Sequence, residues 1–169
     1  LDAGADLVND ISALADPDMA ALAADRSAPV VLMHMRGTPR TMQADTGYAD
    51  VVDEIAAFLV DASEKAIAAG IRGDRIVLDP GIGFGKSVEG NLEILRRLPE
   101  LSRLGRPLLV GASRKSFIGK TLDLPVDERL EGSLAVAAMA AWQGARLIRA
   151  HDVRETVRVV RMVDAVRRS

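Results

Sequence analysis

Cysteine is absent from this 169-residue sequence, and histidine occurs only twice, as His34 and His151. The absence of cysteine excludes a disulfide framework, a thiolate metal site and a cysteine nucleophile, and two histidines are too few for a histidine-rich metal site. No apolar run approaches the roughly 18 residues that a membrane-spanning helix needs. Because no basic-then-apolar leader follows Leu1, the sequence favours a cytoplasmic enzyme.

The chain also lacks an excess of either charge, since its formal net charge is −2 and no basic run is longer than Arg167-Arg168. A nucleic-acid partner is therefore not expected. With 49% hydrophobic and 27% charged residues, the composition is that of an ordinary globular protein. No low-complexity segment or linker interrupts the chain, so residues 1–169 are predicted to form a single domain.

The chain alternates short apolar runs with longer amphipathic segments. The runs are bounded by Gly, Pro or Asp, which is typical of strands buried on both faces in a parallel sheet; they lie at 7–8, 30–33, 76–78, 108–110 and 147–148. Segments 50–69 and 153–166 repeat an apolar residue every three or four positions, as one face of a helix does. Strand followed by helix, repeated along the chain, predicts right-handed βαβ units.

The length of the repeat favours a partial barrel. A glycine, Gly4, Gly70 or Gly144, precedes three of the strands, at the position where helices end in the left-handed conformation. Leu1-Asp2-Ala3 is therefore interpreted as the last turn of a helix whose body is absent. The mean repeat is about 35 residues, and eight such units make a barrel of usual size. We expect an α/β fold of the TIM (β/α)8 class, with about five of its units present and the first three missing. An open doubly wound sheet stays an alternative.

Polar residues follow every predicted strand at its C-terminal end, whereas no comparable polar motif precedes the strands. They occur at 9–10, 34–37, 79–86, 111–116 and 149–152. In α/β sheets and barrels the ligand lies at the C-terminal ends of the strands. Asn-Asp and Asp-Pro-Gly also serve as turns and caps, but five such junctions in one chain indicate a binding site.

The segment 79–87 resembles a phosphate-binding loop, but its spacing excludes one. A Walker loop needs glycine where Pro80 stands, and a dinucleotide fingerprint needs glycine where Lys86 stands. The remaining interpretation is a loop with an exposed backbone and one aromatic ring, Phe84, able to flank a planar ligand. Ser87 is predicted to cap the helix that follows.

Three of the strand-end residues suit recognition of a flat heterocycle. The Asp79 carboxylate can accept two hydrogen bonds from a 2-aminopyrimidinone edge, and Asn9 offers a donor and an acceptor to the same ring. Lys115 can provide a proton donor or a positive charge.

The remaining polar groups suit other roles. Arg149 and His151 lie two residues apart, so we expect both to point the same way and to clamp a pyrophosphate group. For His34, flanked by Met33 and Met35, a buried and hydrogen-bonded core residue is the favoured interpretation.

In five motifs the sequence closely resembles the dihydropteroate synthases, in the family's order and spacing. The motifs are Asn9-Asp10-Ile11, Leu32-Met33-His34-Met35, Asp79-Pro80-Gly81-x-Gly83-Phe84-Gly85-Lys86, Gly111-x-Ser113-Arg114-Lys115-Ser116 and Arg149-x-His151-Asp152. The resemblance implies a truncated pterin-binding TIM barrel from an enzyme that joins 7,8-dihydropterin-6-ylmethyl diphosphate to para-aminobenzoate and releases pyrophosphate. It also implies Mg²⁺ as cofactor and a homodimer in the full-length protein.

Carried over by motif, the resemblance assigns a role to each candidate residue. Pterin binding is implied for Asn9, Met33, Asp79, Gly83, Phe84 and Lys115, and diphosphate binding for Arg149 and His151. Contact with para-aminobenzoate is implied for Ser116, Lys115 and Phe84, and catalysis for Asp79 and Lys115. The family's asparagine metal ligand and its first two loops match nothing in this chain, so we expect no metal ligand here and no activity from the piece alone. The alternatives are a pterin-binding domain of a methyltetrahydrofolate methyltransferase and a non-catalytic barrel fragment.

Overall fold

The computed structural model describes all 169 residues, and one or two helices follow each strand. The strands are β1 (Val8–Asp10), β2 (Val30–Met33), β3 (Ile76–Asp79), β4 (Leu109–Val110) and β5 (Leu147–Ile148). The helices are α1 (Pro17–Asp25), α2 (Val51–Ala68), α3 (Val88–Arg96), α4 (Leu98–Ser102), α5 (Ser116–Leu122), α6 (Leu130–Trp142) and α7 (Val153–Arg168). Short 3-10 turns span Gly73–Arg75 and Val126–Glu128.

All strand pairs are parallel and follow the order of the chain. β1 lies beside β2, β2 beside β3 and β4 beside β5, and a parallel bridge between Leu78 and Leu108 joins β3 to β4. A doubly wound sheet reverses its strand order, whereas a barrel wall adds each strand beside the preceding one. The predicted five parallel strands of a partial barrel are confirmed, and the doubly wound alternative is wrong. The barrel is not closed, because β1 and β5 each keep one unpaired edge.

Alternate residues of each strand face two different environments. One set packs with the helices in the main apolar core: Val30, Leu32, Ile76, Leu78, Leu108 and Val110. The other set forms a small apolar layer on the barrel's interior side: Leu7, Val31, Val77, Leu109 and Leu147. The next interior position of each strand lies two residues further along the chain. These positions are Asn9, Met33, Asp79, Gly111 and Arg149. This second layer, at the C-terminal ends of the strands, carries three of the six predicted pterin-binding residues and the predicted diphosphate-binding Arg149.

The helices close the outer side of the sheet. Asp50 caps α2, since its Oδ1 accepts hydrogen bonds from the amides of Val52 and Asp53 at 2.9 and 3.0 Å. The buried face of α2 repeats at three- and four-residue spacing and comprises Val52, Ile55, Leu59, Ala62 and Ala66. The predicted amphipathic segment is therefore confirmed. None of the helices is both long enough and apolar enough to cross a membrane.

The three predicted helix-ending glycines have left-handed backbones. Gly4, Gly70 and Gly144 have φ values of 92°, 97° and 106°. Gly70 and Gly144 follow α2 and α6, as predicted. At Gly4 the N–H donates a 2.8 Å hydrogen bond to the Leu1 carbonyl oxygen, with the same spacing as the bonds of Gly70 and Gly144 to Ile67 and Ala141, and the final turn of a helix there stays a prediction.

Replacing Leu59 by alanine should lower the free energy of unfolding by about 2–5 kcal/mol, because removing a fully buried side chain leaves a cavity. Leu59 is 0% exposed, whereas its neighbour Val60 is 43% exposed. The matched control Val60→Ala should change the same quantity by less than about 0.5 kcal/mol. Urea denaturation followed by far-UV circular dichroism measures both, and equal losses would contradict the assignment of the two helix faces.

Candidate active site

Polar side chains from four strand ends meet on the interior side of the sheet. The Arg149 Nη1 donates a hydrogen bond to the Asn9 Oδ1 at 2.9 Å, and the Arg149 Nη2 lies 3.7 Å from the Asp79 Oδ2. The Lys115 Nζ donates to the Ile82 carbonyl oxygen, and its charge acts on Asp79. We call Asn9, Asp79, Lys115 and Arg149 the strand-end cluster. The structure thus brings together four side chains that the sequence distributes over separate βα units.

Asp79 is the most deeply buried member of the cluster, with 1% of its surface exposed. Its Oδ1 accepts a hydrogen bond from the Gly81 N–H at 2.7 Å, whereas its Oδ2 is buried without a partner. Burial raises the pKa of Asp79, against the opposing effects of the Gly81 N–H and of the Lys115, Arg149 and Lys86 charges. Because an unpartnered buried oxygen is costly, Oδ2 is the atom best placed to accept a hydrogen bond from a ligand.

Lys115 lies against the loop that follows β3. Its Nζ is 4.3 Å from the centre of the Phe84 ring, a cation–π contact. Gly83 leaves room for it, since a Cβ there would lie 2.8 Å from the Lys115 Cδ. Loss of hydration lowers the pKa of Lys115 to about 8, although the Asp79 charge raises it. Lys115 is therefore charged at neutral pH and loses its charge in mildly basic solution.

A glycine-rich loop, residues 80–86, connects β3 to α3. Three of its glycines have positive φ values of 68°, 80° and 66°: Gly81, Gly83 and Gly85. Other residues rarely adopt these conformations, and at Gly81 a Cβ would also collide with the His34 carbonyl oxygen. The Ser87 Oγ accepts a hydrogen bond from the Gly90 N–H at 3.0 Å, which confirms the predicted cap of α3.

Two buried side chains behind the glycine-rich loop are missing from the sequence-based candidates. Lys86 is 3% exposed, and its Nζ donates to the carbonyl oxygens of Gly81 and Phe84 at 3.0 and 2.8 Å and to the His34 Nδ1 at 3.0 Å. Asn91, buried in α3, uses its Oδ1 to accept a loop N–H at 2.6 Å. Lys86 is the last residue of the motif that begins at Asp79, but nothing in the sequence indicates which groups its ammonium contacts.

His34 is a buried, hydrogen-bonded core residue, as predicted. It is 6% exposed, and its ring packs edge-on against Phe58 with the centroids 5.0 Å apart. Burial and the nearby charges of Lys86 and Arg36 lower the pKa of His34 to about 3. The imidazole is therefore neutral at physiological pH, and its Nδ1 can accept the hydrogen bond from Lys86.

Arg149 and His151 have different partners. Arg149 bonds within the strand-end cluster, whereas the His151 N–H donates to the Ser113 Oγ at 3.2 Å and the His151 Nδ1 lies 3.1 Å from the same oxygen. β5 ends at Ile148, although the Arg149 N–H still donates to the Val110 carbonyl oxygen at 3.0 Å. The expected common direction of the two side chains stays a prediction. Their joint binding of a diphosphate stays a prediction.

An ion pair that the sequence does not reveal joins the loops after β4 and β5. The Arg114 Nε and Nη2 donate to the two carboxylate oxygens of Asp152 at 3.1 and 2.5 Å. Such a paired, planar contact fixes orientation as well as distance. Arg114 precedes Lys115 and Asp152 follows His151, so the pair holds these two candidate residues in relation to one another.

The remaining candidates surround the cluster at different depths. Met33 is 1% exposed and lies beside Asp79 in the register of β2 and β3. Phe84 is half-buried, and Ser116, the first residue of α5, is exposed. Ser116 lines an open cleft of about 340 Å³, together with residues of the glycine-rich loop and of the segment before α2.

The residues of this chain do not fit a Mg²⁺ site. No three or more His, Cys, Asp or Glu side chains are grouped so that they could hold a metal ion. Asp79 is the one buried carboxylate, and it faces Lys115, Arg149 and Lys86, whose charges disfavour a further cation. The Mg²⁺ expected from the resemblance would need protein ligands from outside this chain.

Comparisons with known proteins agree with this geometry. A family model described as "Pterin binding enzyme" matches residues 1–151. The chain is 49% identical over 168 residues to the dihydropteroate synthase of Synechocystis sp., an alignment that covers 98% of this chain and 58% of that protein. The chain therefore spans little more than half the length of this relative.

Two solved structures have the same fold. Dihydropteroate synthase of Yersinia pestis, crystallised as a sulfonamide drug complex, has a TM-score of 0.96 and 45% identity, covering 99% of this chain and 61% of that one. The Xanthomonas albilineans enzyme, solved with 4-aminobenzoic acid, has a TM-score of 0.91 and 42% identity, covering 98% and 59%.

Gly81→Ala should lower the free energy of unfolding by more than about 3 kcal/mol, because a Cβ would collide with a carbonyl oxygen as well as require a left-handed alanine. Gly105 also has a positive φ, 76°, but an added Cβ there meets no atom within 4 Å. Gly105→Ala is the matched control and should cost about 1 kcal/mol from backbone strain alone. Urea denaturation measures both variants, and equal losses would show that the close approach at Gly81 is unimportant.

Proposed function

The chain belongs to the family of pterin-binding enzymes, and we propose that it forms the C-terminal part of a dihydropteroate synthase. Such an enzyme joins 7,8-dihydropterin-6-ylmethyl diphosphate to para-aminobenzoate and releases pyrophosphate. The observation that carries the proposal is the strand-end cluster, in which the buried and unpartnered Asp79 Oδ2 faces the same Arg149 that Asn9 binds. The chain spans 58% of the relative from Synechocystis, so the activity is proposed for the longer protein.

We propose that the pterin binds where the Arg149 guanidinium lies. The 2-amino and ring N–H groups of a pterin form a flat edge of two donors, which suits the Asp79 carboxylate. Asn9 can pair with neighbouring atoms of the same ring, and Lys115 can donate to a ring nitrogen or oxygen. Met33, Gly83 and Phe84 would form the apolar and backbone walls of the pocket. The position of Met33 beside Asp79 supports this assignment.

The chemistry follows from the charge that develops on the pterin. The bond between the pterin methylene carbon and the diphosphate oxygen breaks, the electron pair leaves with pyrophosphate, and positive charge spreads over the electron-rich ring. An ionised Asp79 stabilises that charge more in the transition state than in the ground state. The amine nitrogen of para-aminobenzoate then forms the new bond to the methylene carbon and loses one proton. No covalent enzyme intermediate is needed.

The leaving group and the second substrate are assigned to the rim of the cluster. Arg149 and His151 would bind the diphosphate once the pterin occupies the positions beside Asn9 and Asp79. Ser116, Lys115 and Phe84 would line the para-aminobenzoate site. A site for such a substrate is supported by the Xanthomonas relative, which was solved with 4-aminobenzoic acid. Mg²⁺ would neutralise part of the diphosphate charge, held by residues outside this chain. Cytoplasmic location and a homodimer of the longer protein stay predictions.

The alternatives have less support. A methyltetrahydrofolate methyltransferase has no diphosphate to bind, and the similar proteins described above are dihydropteroate synthases. A non-catalytic barrel fragment does not explain why a carboxylate is buried, at a cost in stability, beside three cationic side chains.

The affinity for 6-hydroxymethylpterin should depend on pH through two groups. The raised pKa of Asp79 means that its carboxylate, and with it the affinity, is lost as the pH falls through that pKa. The lowered pKa of Lys115 means that the affinity also declines above about pH 8. Asp79→Asn should weaken binding at least about tenfold near neutral pH and remove the acidic limb. Calorimetric titration across the pH range measures this.

Asp74 provides the matched control, because its carboxylate is 61% exposed and it precedes β3, at the opposite end of that strand from Asp79. Asp74→Asn should leave the affinity and both limbs of the pH profile unchanged. Equal affinities of Asp79→Asn and the unaltered chain would refute the proposed pterin site.

The 169-residue chain alone should release no pyrophosphate from the two substrates, because five strands leave the barrel open and the implied metal ligand lies outside the chain. A coupled pyrophosphate assay with Mg²⁺ present measures this. Turnover at a rate near that of a full-length dihydropteroate synthase would contradict it.

A further inference from the structure

Lys86 is a buried cation that the proposed chemistry does not use. Its Nζ lies inside the glycine-rich loop and is 3.0 Å from the Gly81 carbonyl oxygen and 2.8 Å from that of Phe84. The His34 Nδ1 lies 3.0 Å from it and the His34 carbonyl oxygen 3.4 Å. An ammonium has three N–H donors and no acceptor, so the two loop carbonyl oxygens and His34 together satisfy all three donors. With 3% of the residue exposed, water has little access to replace any of them.

Asn91 complements Lys86 from the neighbouring helix. Its Oδ1 accepts a hydrogen bond from the Gly83 N–H at 2.6 Å, and its Nδ2 donates to the Ser87 carbonyl oxygen at 2.6 Å. Lys86 therefore binds the loop through its carbonyl oxygens, while Asn91 binds it through an amide. The left-handed glycines make this possible, because they turn successive carbonyl and amide groups toward opposite sides of the loop.

The other side of the same loop contacts the strand-end cluster. The Gly81 N–H donates to the Asp79 Oδ1 at 2.7 Å. The Ile82 carbonyl oxygen accepts from Lys115, and Gly83 and Phe84 pack against the Lys115 side chain. A shift of the loop would therefore move the partners of Asp79 and Lys115 together.

We propose that Lys86, with His34 as its acceptor and Asn91 as its counterpart, is a positioning residue that holds the glycine-rich loop in the form that orients Asp79 and Lys115 toward the pterin. The Lys86 ammonium is enclosed by the loop and by His34, so it acts on the pterin through the loop. The inference rests on the proposed function in so far as it concerns pterin affinity. The order of the loop itself is independent of that function.

The electrostatic surroundings make the charge of Lys86 dependent on pH. Burial lowers the pKa of Lys86 to about 7, against the opposing effect of the Asp79 charge and with those of Lys115 and Arg36, so the ammonium loses its charge as the pH rises through that value. His34 is neutral because its pKa is lowered to about 3, and with Nδ1 as acceptor its proton lies on Nε2. Lys86 therefore reaches the acceptor side of the imidazole without repulsion from a second cation at that contact.

Native-state hydrogen exchange of the unliganded chain tests the order of the loop. The amides of Gly81, Gly83 and Phe84 are each hydrogen-bonded within the loop or to its supports. In Lys86→Met we expect at least about tenfold faster exchange at these amides, since carbonyl acceptors lose their donor while the side-chain volume is kept. We also expect at least about tenfold weaker binding of 6-hydroxymethylpterin.

Leu101→Ala is the matched control for a general loss of stability. Leu101 is fully buried in α4, outside the loop and its supports. It should accelerate exchange across the core without singling out the three loop amides, and it should leave pterin affinity unchanged. Loop amides that exchange equally fast in both variants would overturn the proposal, as would unaltered exchange and affinity in Lys86→Met.

His34 provides a second pair of variants if Lys86→Met does not fold. His34→Asn keeps an acceptor near the position of Nδ1, whereas His34→Leu removes it. Only His34→Leu should loosen the loop amides, and equal effects of the two would overturn the proposal. If the unaltered chain does not bind the pterin, the proposed pterin site is not formed by this chain alone, while the exchange comparison still decides whether Lys86 orders the loop.

Discussion

A buried carboxylate at the end of β3 is the constraint around which the candidate site is organised. Asp79 has lost its hydration, so its surroundings must replace it. One oxygen receives the Gly81 N–H, and Lys115, Arg149 and Lys86 provide compensating charge. The need to bring an N–H group and cationic side chains close to Asp79 accounts for three features of the site. They are the left-handed glycines, the close backbone packing at Gly81 and the ammonium enclosed by the loop.

The strands and the end of the sheet at which the site lies could be predicted from the sequence, because both depend on local patterns. Apolar runs such as 30–33 and 147–148 coincide with β2 and β5. Strand alternation has a period of two, and it places Asn9, Asp79 and Arg149 two positions beyond an interior apolar residue. Parallel strands then put these side chains at one end. The strand order, which distinguishes a barrel wall from a doubly wound sheet, needed the structure.

Contacts between distant segments could not be predicted. His34 was expected in the core, but its partner Lys86 lies 52 residues further along the chain. The ion pair of Arg114 with Asp152 spans 38 residues and has no signature in either motif. For Arg149 and His151, the sequence did not reveal that the first bonds to Asn9 and the second to Ser113, because each partner belongs to a different βα unit. Such contacts depend on how separate units pack, which a local pattern does not describe.

The guanidinium that lies between Asn9 and Asp79 has a consequence for selectivity. Arg149 presents planar N–H groups to these two side chains, and the same chemical fragment recurs in the 2-amino edge of a pterin. A ligand in this position would take the place of the guanidinium. A flat hydrocarbon of the same outline would remove the donor of the Asn9 Oδ1 and leave the Asp79 Oδ2 without one, so it would bind less well than a molecule with N–H groups along one edge. Selectivity at this position therefore depends on the donors that replace those of the arginine.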